Sequence, residues 1–251
     1  MQAKLLSIGT ISPINYTNYA TTSYQINLTL LDPIPTGGYI VIIFPTTVVP
    51  QAGQLVAASF GIGTCNPNMV NSTYITVTGC FTADMNNLAF SITLGNILNP
   101  PSFKPTTTFK VYTYGPSNTM VNYLDTGLTV TMNISANTVG FAVSPNVFTV
   151  GATTTYYFQI THAISAHTVN DYAIITFPSL MSVPSTPSCS ATAGITTINC
   201  VSPSSTQLTV TYATAPSTTI QFSVLSIINY LVGDQSINYA LKIYDSSGFL
   251  M

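Results

Sequence analysis

Hydrophobic and polar positions along this chain alternate with a period of two over short runs, the pattern of strands that bury one face. Tyr24, Ile26, Leu28 and Leu30 fall on one side of such a run, with Gln25, Asn27 and Thr29 on the other. Ile75 and Val77 alternate with Thr76 and Thr78; Leu88, Phe90, Ile92 and Leu94 alternate with Ala89, Ser91 and Thr93; Ile220, Phe222 and Val224 repeat the pattern further on. The continuous apolar run Tyr39-Ile-Val-Ile-Ile-Phe44 is about a third of the length a membrane-crossing helix needs and predicts a buried strand. Pro33, Pro35, Gly37-Gly38, Pro45, Pro50, Asn66-Pro67, Asn99-Pro-Pro101 and Gly115-Pro116 separate the runs as turn signals.

The second half of the chain repeats the first at an offset near 132 residues. Ser12-Pro13 recurs as Ser144-Pro145, Ala20-Thr-Thr-Ser-Tyr24 as Ala152-Thr-Thr-Thr-Tyr156, and Tyr39-Ile-Val-Ile-Ile-Phe-Pro45 as Tyr172-Ala-Ile-Ile-Thr-Phe-Pro178. Ser72-Thr-Tyr-Ile-Thr-Val-Thr78 recurs as Ser205-Thr-Gln-Leu-Thr-Val-Thr211, and Phe109-Lys-Val-Tyr112 as Leu241-Lys-Ile-Tyr244. Blocks in one order at one offset predict two tandem domains, 1–138 and 139–251. Each reads as an all-β, immunoglobulin-like or fibronectin-like sandwich of about seven short strands.

The first copy runs on past Tyr112 into Thr126-Gly-Leu-Thr-Val-Thr-Met132, which reads as a last strand. The same offset puts the partner of Leu128 near position 260, so the second sandwich is expected to lack that strand within these residues. An antiparallel sheet short of a strand exposes unpaired backbone and a cleft of core side chains. The chain is then an excerpt of a longer repeat protein, or takes a strand from a neighbouring subunit, or has a smaller second domain. The available donor is Lys4-Leu5-Leu6-Ser7-Ile8-Gly9-Thr10-Ile11, and donor-strand assembly through it would build a head-to-tail polymer that does not close on itself.

Composition sharpens the setting. Apolar residues make up 46% of the chain and charged residues 4%, with Arg, Glu and Trp absent, so charge cannot be what hydrates the surface. The 65 Thr and Ser residues supply hydroxyls instead, and strand formers outnumber the usual helix formers. A net charge of −2 with four scattered Lys gives no basic patch, so nucleic acid and anionic membrane are not expected partners. Met1-Gln-Ala-Lys-Leu-Leu-Ser has too short an apolar stretch for a secretory signal, which reads as a signal removed or an excerpted chain. Even so, four Cys in two close pairs and the N-x-S/T sequons at Asn15, Asn27, Asn71 and Asn133 point together to an extracellular or cell-surface location.

Cys65 aligns with Cys200, whereas Cys80 and Cys189 have no counterparts. The expected bonds are one local staple per copy, Cys65–Cys80 and Cys189–Cys200, each worth about 3 kcal/mol. A cross-link between chains is the alternative. The Ser- and Thr-rich loops Ser202-Pro-Ser-Ser-Thr206 and Thr214-Ala-Pro-Ser-Thr-Thr219 suit O-linked sugar.

Candidate chemistry is sparse. Asp32, Asp84, Asp125, Asp171, Asp234 and Asp245 stand apart, with neither paired-carboxylate spacing nor a calcium-binding loop. His162, His167 and Asp171 compose a possible metal set, but five-residue spacing across a turn is a weak signal. His162 also aligns with Leu30 at the end of a core-facing run, while His167 falls in the following loop. No G-x-S-x-G elbow occurs, and Gly61-Ile-Gly63 lacks the rest of a phosphate-binding loop. The 15 Tyr could stack on sugars, yet Tyr24, Tyr74, Tyr112, Tyr156 and Tyr244 occupy strand positions where packing is the default. No catalytic residue, metal or cofactor is expected, and the chain reads as non-enzymatic.

The Tyr-x-Ile-x-Leu strand, the Ile-Ile-Phe-Pro or Ile-Thr-Phe-Pro block and the Lys-Val/Ile-Tyr block resemble the long Thr/Ser/Asn-rich tandem Ig-like repeat proteins of single-celled eukaryotic surfaces and filaments. That resemblance spans nearly the whole chain and implies a structural subunit of a glycosylated extracellular filament or surface layer. Its partners would be copies of itself or further repeats, with covalent N- and O-glycans. The alternative is an adhesin-type module that recognises glycan or protein through its loops.

Overall fold

A computed structural model describes residues 4–5, 8–53, 56–60, 64–84, 89–133, 139–162, 167–230 and 238–251. Described residues form strands, turns and loops with no helix, hence no helix able to cross a membrane. The chain divides into two compact units, Met1–Ser135 and Ala136–Met251, each an immunoglobulin-like β-sandwich.

The first unit contains β1 (Lys4–Leu5), β2 (Ile8–Pro13), β3 (Thr21–Thr29), β4 (Tyr39–Ile43), β5 (Val49–Pro50), β6 (Val56–Phe60), β7 (Asn66–Asn71), β8 (Tyr74–Thr78), β9 (Ala89–Leu98), β10 (Lys110–Tyr114) and β11 (Met120–Leu124). One sheet runs β1-β11-β10-β4-β8-β7; the other runs β2-β3-β9-β5, with β6 also on β9. The second unit contains β12 (Gly140–Pro145), β13 (Thr153–Thr161), β14 (Tyr172–Thr176), β15 (Cys189–Ala193), β16 (Ile198–Ser204), β17 (Gln207–Tyr212), β18 (Thr219–Ile228) and β19 (Ala240–Tyr244). Its sheets run β12-β13-β18-β15 and β16-β17-β14-β19.

Alternation becomes burial as read. Tyr24, Ile26 and Leu28 of β3 and Tyr156, Phe158 and Ile160 of β13 face the cores, whereas Gln25 and Gln159 face out. Phe158 stacks on Phe222 across β13 and β18 at 5.1 Å, and Tyr212, Leu208 and Val210 close the same core from the opposite sheet. Both units carry the same irregularity: the β3–β9 register shifts between Thr22 and Tyr24, and the β13–β18 register between Thr154 and Tyr156.

Several expectations need correction. The donor segment is not spare: Lys4 and Leu5 pair with Asn122 and Tyr123 of β11, and Ile8, Gly9, Thr10 and Ile11 pair with β3, all within the first unit. Leu6 and Ser7 lie outside the described residues, as do Gly61-Ile-Gly63 and Leu88. Backbone groups already bonded at home cannot complete a neighbour's sheet without unfolding their own unit. Asn66-Pro67 is not a turn but the start of β7, and Pro203 lies in β16; both are edge strands, where proline costs no ladder bond. The repeat is also shifted by two residues at its end. Tyr244 pairs with Tyr172 as Tyr114, not Tyr112, pairs with Tyr39. The corresponding rings stack at 5.2 and 5.0 Å. A two-residue slip leaves every side chain on its own face, so the pattern alone does not show it.

Beyond β10 the units differ. In the first, β11 and β1 extend the sheet; in the second, among the described residues, the side of β19 away from β14 carries a Tyr244–Leu250 bridge and the Met251 N–H on the Ile243 carbonyl.

Candidate functional site

The stretch after β11 seals the first unit. Phe109 N–H donates to the Leu128 carbonyl at 2.8 Å and Thr106 N–H to the Val130 carbonyl at 2.9 Å. Val130 N–H returns a bond to Thr106 Oγ1 at 2.9 Å, and Asn133 N–H donates to the Tyr16 carbonyl at 3.1 Å. Leu128, Val130 and Met132 point inward and are buried, while Thr129 and Thr131 are exposed. This segment is extended but is not a ladder strand, contrary to the expectation for Thr126–Met132. Gly9 lies beneath it; a Cβ there would run into Leu124 and touch Leu128.

At the corresponding place in the second unit the described residues Phe141, Val143, Pro145, Phe148, Tyr156, Asn238 and Tyr239 line a groove of about 520 Å³. By strand pairing and repeat order these correspond to Gly9, Ile11, Pro13, Tyr16, Tyr24, Thr108 and Phe109. Ile11, Pro13 and Phe109 are buried in the first unit, but Val143, Pro145 and Tyr239 are only half-buried in the second. Phe148 is 81% exposed, the largest exposure among the described large hydrophobics. Phe141 stands where the first unit has Gly9; it stacks on Phe158 and meets Tyr239 edge-on, both at 6.4 Å. The lining side chains are apolar or aromatic apart from Asn238.

A buried polar clamp fixes the groove's lip. Asn229 accepts from the Tyr156 hydroxyl at 2.7 Å and donates through Nδ2 to the Val147 and Thr149 carbonyls at 2.7 and 2.8 Å. Asn99 does the same with Tyr24, Asn15 and Thr17. In the first unit the carbonyl between the two clamped ones, that of Tyr16, accepts from the Asn133 N–H. Burial raises the Tyr24 and Tyr156 hydroxyls above the usual tyrosine range. Sequence reading took Asn99 for a turn residue and passed over Asn229; the recurrence of both Tyr and Asn in order was the available signal.

His162, His167 and Asp171 do come together, at another place in the second unit. The imidazole centroids are 4.0 Å apart, and His167 Nδ1 lies 3.6 Å from Asp171 Oδ2. Both rings meet the buried Tyr212 edge-on. Neither ring nitrogen of His162 has a hydrogen-bond partner, and His167, read as a loop residue, is buried. Burial first, then His167, push the His162 pKa down to about 3, against the pull of Asp171. Burial pushes the Asp171 carboxyl up, but His167 and the N–H groups of Thr168 and Ser246 outweigh it and hold the group below its ordinary value. Among the described residues no set of three or more His, Cys, Asp and Glu is arranged to hold a metal ion.

Both staples form. Cys65–Cys80 ties the ends of the β7–β8 hairpin within one sheet, whereas Cys189–Cys200 joins β15 to β16 and so links the two sheets of its unit. Among the sequons, Asn15, Asn71 and Asn133 are exposed and Asn27 is half-buried, its Nδ2 donating to Thr10 Oγ1. Asn15 and Asn71 each accept from the N–H two residues on, which leaves their amide nitrogens on the surface.

No protein-family model and no curated protein matches the chain. Among solved structures, the collagen adhesin of S. aureus is similar at 13% identity and a TM-score of 0.27, covering 100% of this chain and 92% of its own. The N-terminal domain of the Streptococcus gordonii adhesin Sgo0707 is similar at 10% identity and 0.33, over 93% of this chain and 60% of its own. The bacterial hydrophobin BslA is similar at 9% identity and 0.33, over 50% of this chain and 95% of its own. Scores this low say nothing of activity or partner.

Proposed function

We propose that this chain is a binding module of an extracellular or surface protein, acting by recognition rather than catalysis, with the groove of the second unit as its binding site. The observation that carries this reading is the row Phe141, Val143, Pro145 and Tyr239, half-buried along a groove beside a Phe148 that is 81% exposed. Exposed apolar surface with a polar surround marks interaction sites. Two disulfides fit folding in an oxidising compartment. The test is an array of purified extracellular proteins and glycans probed with the chain and with its Phe148→Asp variant. A competable partner is expected, with affinity falling about tenfold or more in the variant. Partners indifferent to Phe148→Asp would remove the groove from the function.

A second reading, a structural subunit of a glycosylated filament or layer, draws on the exposed sequons and hydroxyl-rich outer faces. It predicts sugar on Asn15 and Asn71 of the native protein, read as mass lost on glycosidase treatment and on Asn→Gln substitution. Unmodified asparagines at both would count against it.

A further inference from the structure

The tyrosines divide once the strand faces are known. Tyr24 and Tyr156 belong to the cores, whereas Tyr74, Tyr112 and Tyr244 stand half-buried on the outer faces of their sheets. In the first unit Ile40, Ile42, Ile75, Val77 and Val111 turn inward and are fully buried, which leaves Tyr39, Tyr74, Tyr112, Tyr114 and Tyr123 together on the far side. Tyr123, Tyr112, Val41 and Thr76 stand side by side across β11, β10, β4 and β8, with the Tyr114–Tyr39 row on one flank and Lys110, Ile43 and Tyr74 on the other. Tyr39 and Tyr114 stack at 5.0 Å with their planes 11° apart, and the Tyr39 hydroxyl donates to Asn118 Oδ1 at 3.0 Å. Burial, then the Tyr74, Tyr39 and Tyr112 hydroxyls, raise the Tyr114 hydroxyl above the usual tyrosine range, so these phenols converge. Val41 points outward with them yet is 2% exposed, enclosed by its neighbours on that face, Tyr39, Ile43, Tyr112 and Thr76. Next to the rings, Thr76 and Thr78 pair with Asn68 and Asn66 in a strip of hydroxyls and amides.

We propose that this outer face of the first unit, separately from the groove, binds an uncharged polysaccharide, whose pyranose rings stack on the tyrosines while its hydroxyls bond the Asn and Thr side chains of β7 and β8. Charge and size both favour that occupant. Lys110 is the one charged side chain among these outward strand positions, so a charged polymer finds no matching field. Four strands across and five residues along, the ring patch measures roughly 200 Å², about a quarter of what each partner gives to a standard protein interface. A pyranose offers an apolar C–H face to the electron-rich face of a ring and a rim of hydroxyls to the neighbouring strip. The second unit keeps the stacked pair as Tyr172 and Tyr244, but has Lys242 and Gln207 where the first has Tyr112 and Tyr74. Its face is therefore the poorer platform.

The experiment runs the full chain in native gels cast with soluble β-glucan, galactomannan, xylan or hydroxyethylcellulose, with polygalacturonate as the charged control, and reads mobility relative to a polymer-free gel. At least one uncharged polymer is expected to retard the chain, and polygalacturonate is not. Tyr74→Gln with Tyr112→Lys is expected to weaken the retardation about tenfold or more. The second unit folds with those residues at those places, so the loss is read on a folded chain. Phe148→Asp is expected to leave the retardation unchanged, which separates this face from the groove. Retardation by none of the uncharged polymers, or retardation that survives the double substitution, overturns the inference. Protein partners lost with the double substitution, while no polymer retards the chain, would assign the face to a protein and overturn it equally.

Discussion

Asn229→Ala is expected to lower the stability of the second unit by about 4 kcal/mol. It removes one acceptor and two donated bonds at a buried position, stranding the Tyr156 hydroxyl and the Val147 and Thr149 carbonyls. A buried polar group left unpaired costs about 1–3 kcal/mol, and partial hydration of the two carbonyls at the lip keeps the sum below its ceiling. Tyr156→Phe, which leaves both carbonyl bonds in place, should cost only about 1–2 kcal/mol. Asn99→Ala should do to the first unit what Asn229→Ala does to the second. Denaturant titration followed by amide exchange in β13 and β18 measures this. A loss under about 1 kcal/mol would show that the clamp is not what holds residues 147–149.

Acid should weaken the second unit and spare this device in the first, which has no histidine. His162 titrates near its ordinary 6.5 when unfolded but only at about 3 when folded, because it is buried beside His167, with Asp171 and Tyr212 the other ionisable groups against it. Between those values the unfolded state binds a proton that the folded state refuses, so stability falls as pH drops, by about 1.4 kcal/mol per unit. From pH 7.5 to 4 the loss is about 3 kcal/mol. Asp171, held ionised below its ordinary value, adds a loss of the same sign as pH falls through its folded pKa. His162→Leu restores the side chain that the first unit has at Leu30, which is 1% exposed, and should remove most of the acid sensitivity. Amide exchange in β13 and β18 at the two pH values, with β3 and β9 as internal reference, decides it. Undiminished acid sensitivity in the His162→Leu chain would assign the effect to other groups.

Strand faces were legible because a period of two leaves little choice about which side of Tyr24-Gln-Ile-Asn-Leu28 is buried. The pairing of neighbouring cysteines was legible too, since 15 and 11 residues of separation favour local closure. That Cys189–Cys200 crosses between sheets was not, because sequence order does not say which sheet an edge strand joins. The groove was half legible. The offset placed the partner of Leu128 outside these residues, but the role of Phe141 at the position of Gly9 needed the packing. Met120–Leu124 was overlooked as a strand because Val121, Asn122 and Leu124 are all buried, which hides the alternation. Asn122 is satisfied there by Thr113, Leu31 and Asp32, a set of contacts up to 91 residues away that no local pattern encodes.

The two sulfur bridges also set how far the chain can be drawn out under tension. A unit pulled open from its ends lengthens by about 3.4 Å for each residue released, but residues enclosed by a closed ring are bypassed. The Cys65–Cys80 ring withholds about 46 Å and the Cys189–Cys200 ring about 31 Å, from separations of 15 and 11 residues less the 4.5 and 6.0 Å that the bridges themselves span. A chain anchored at one end and loaded at the other would therefore stop short of its full contour by nearly 80 Å until a reductant opened both rings.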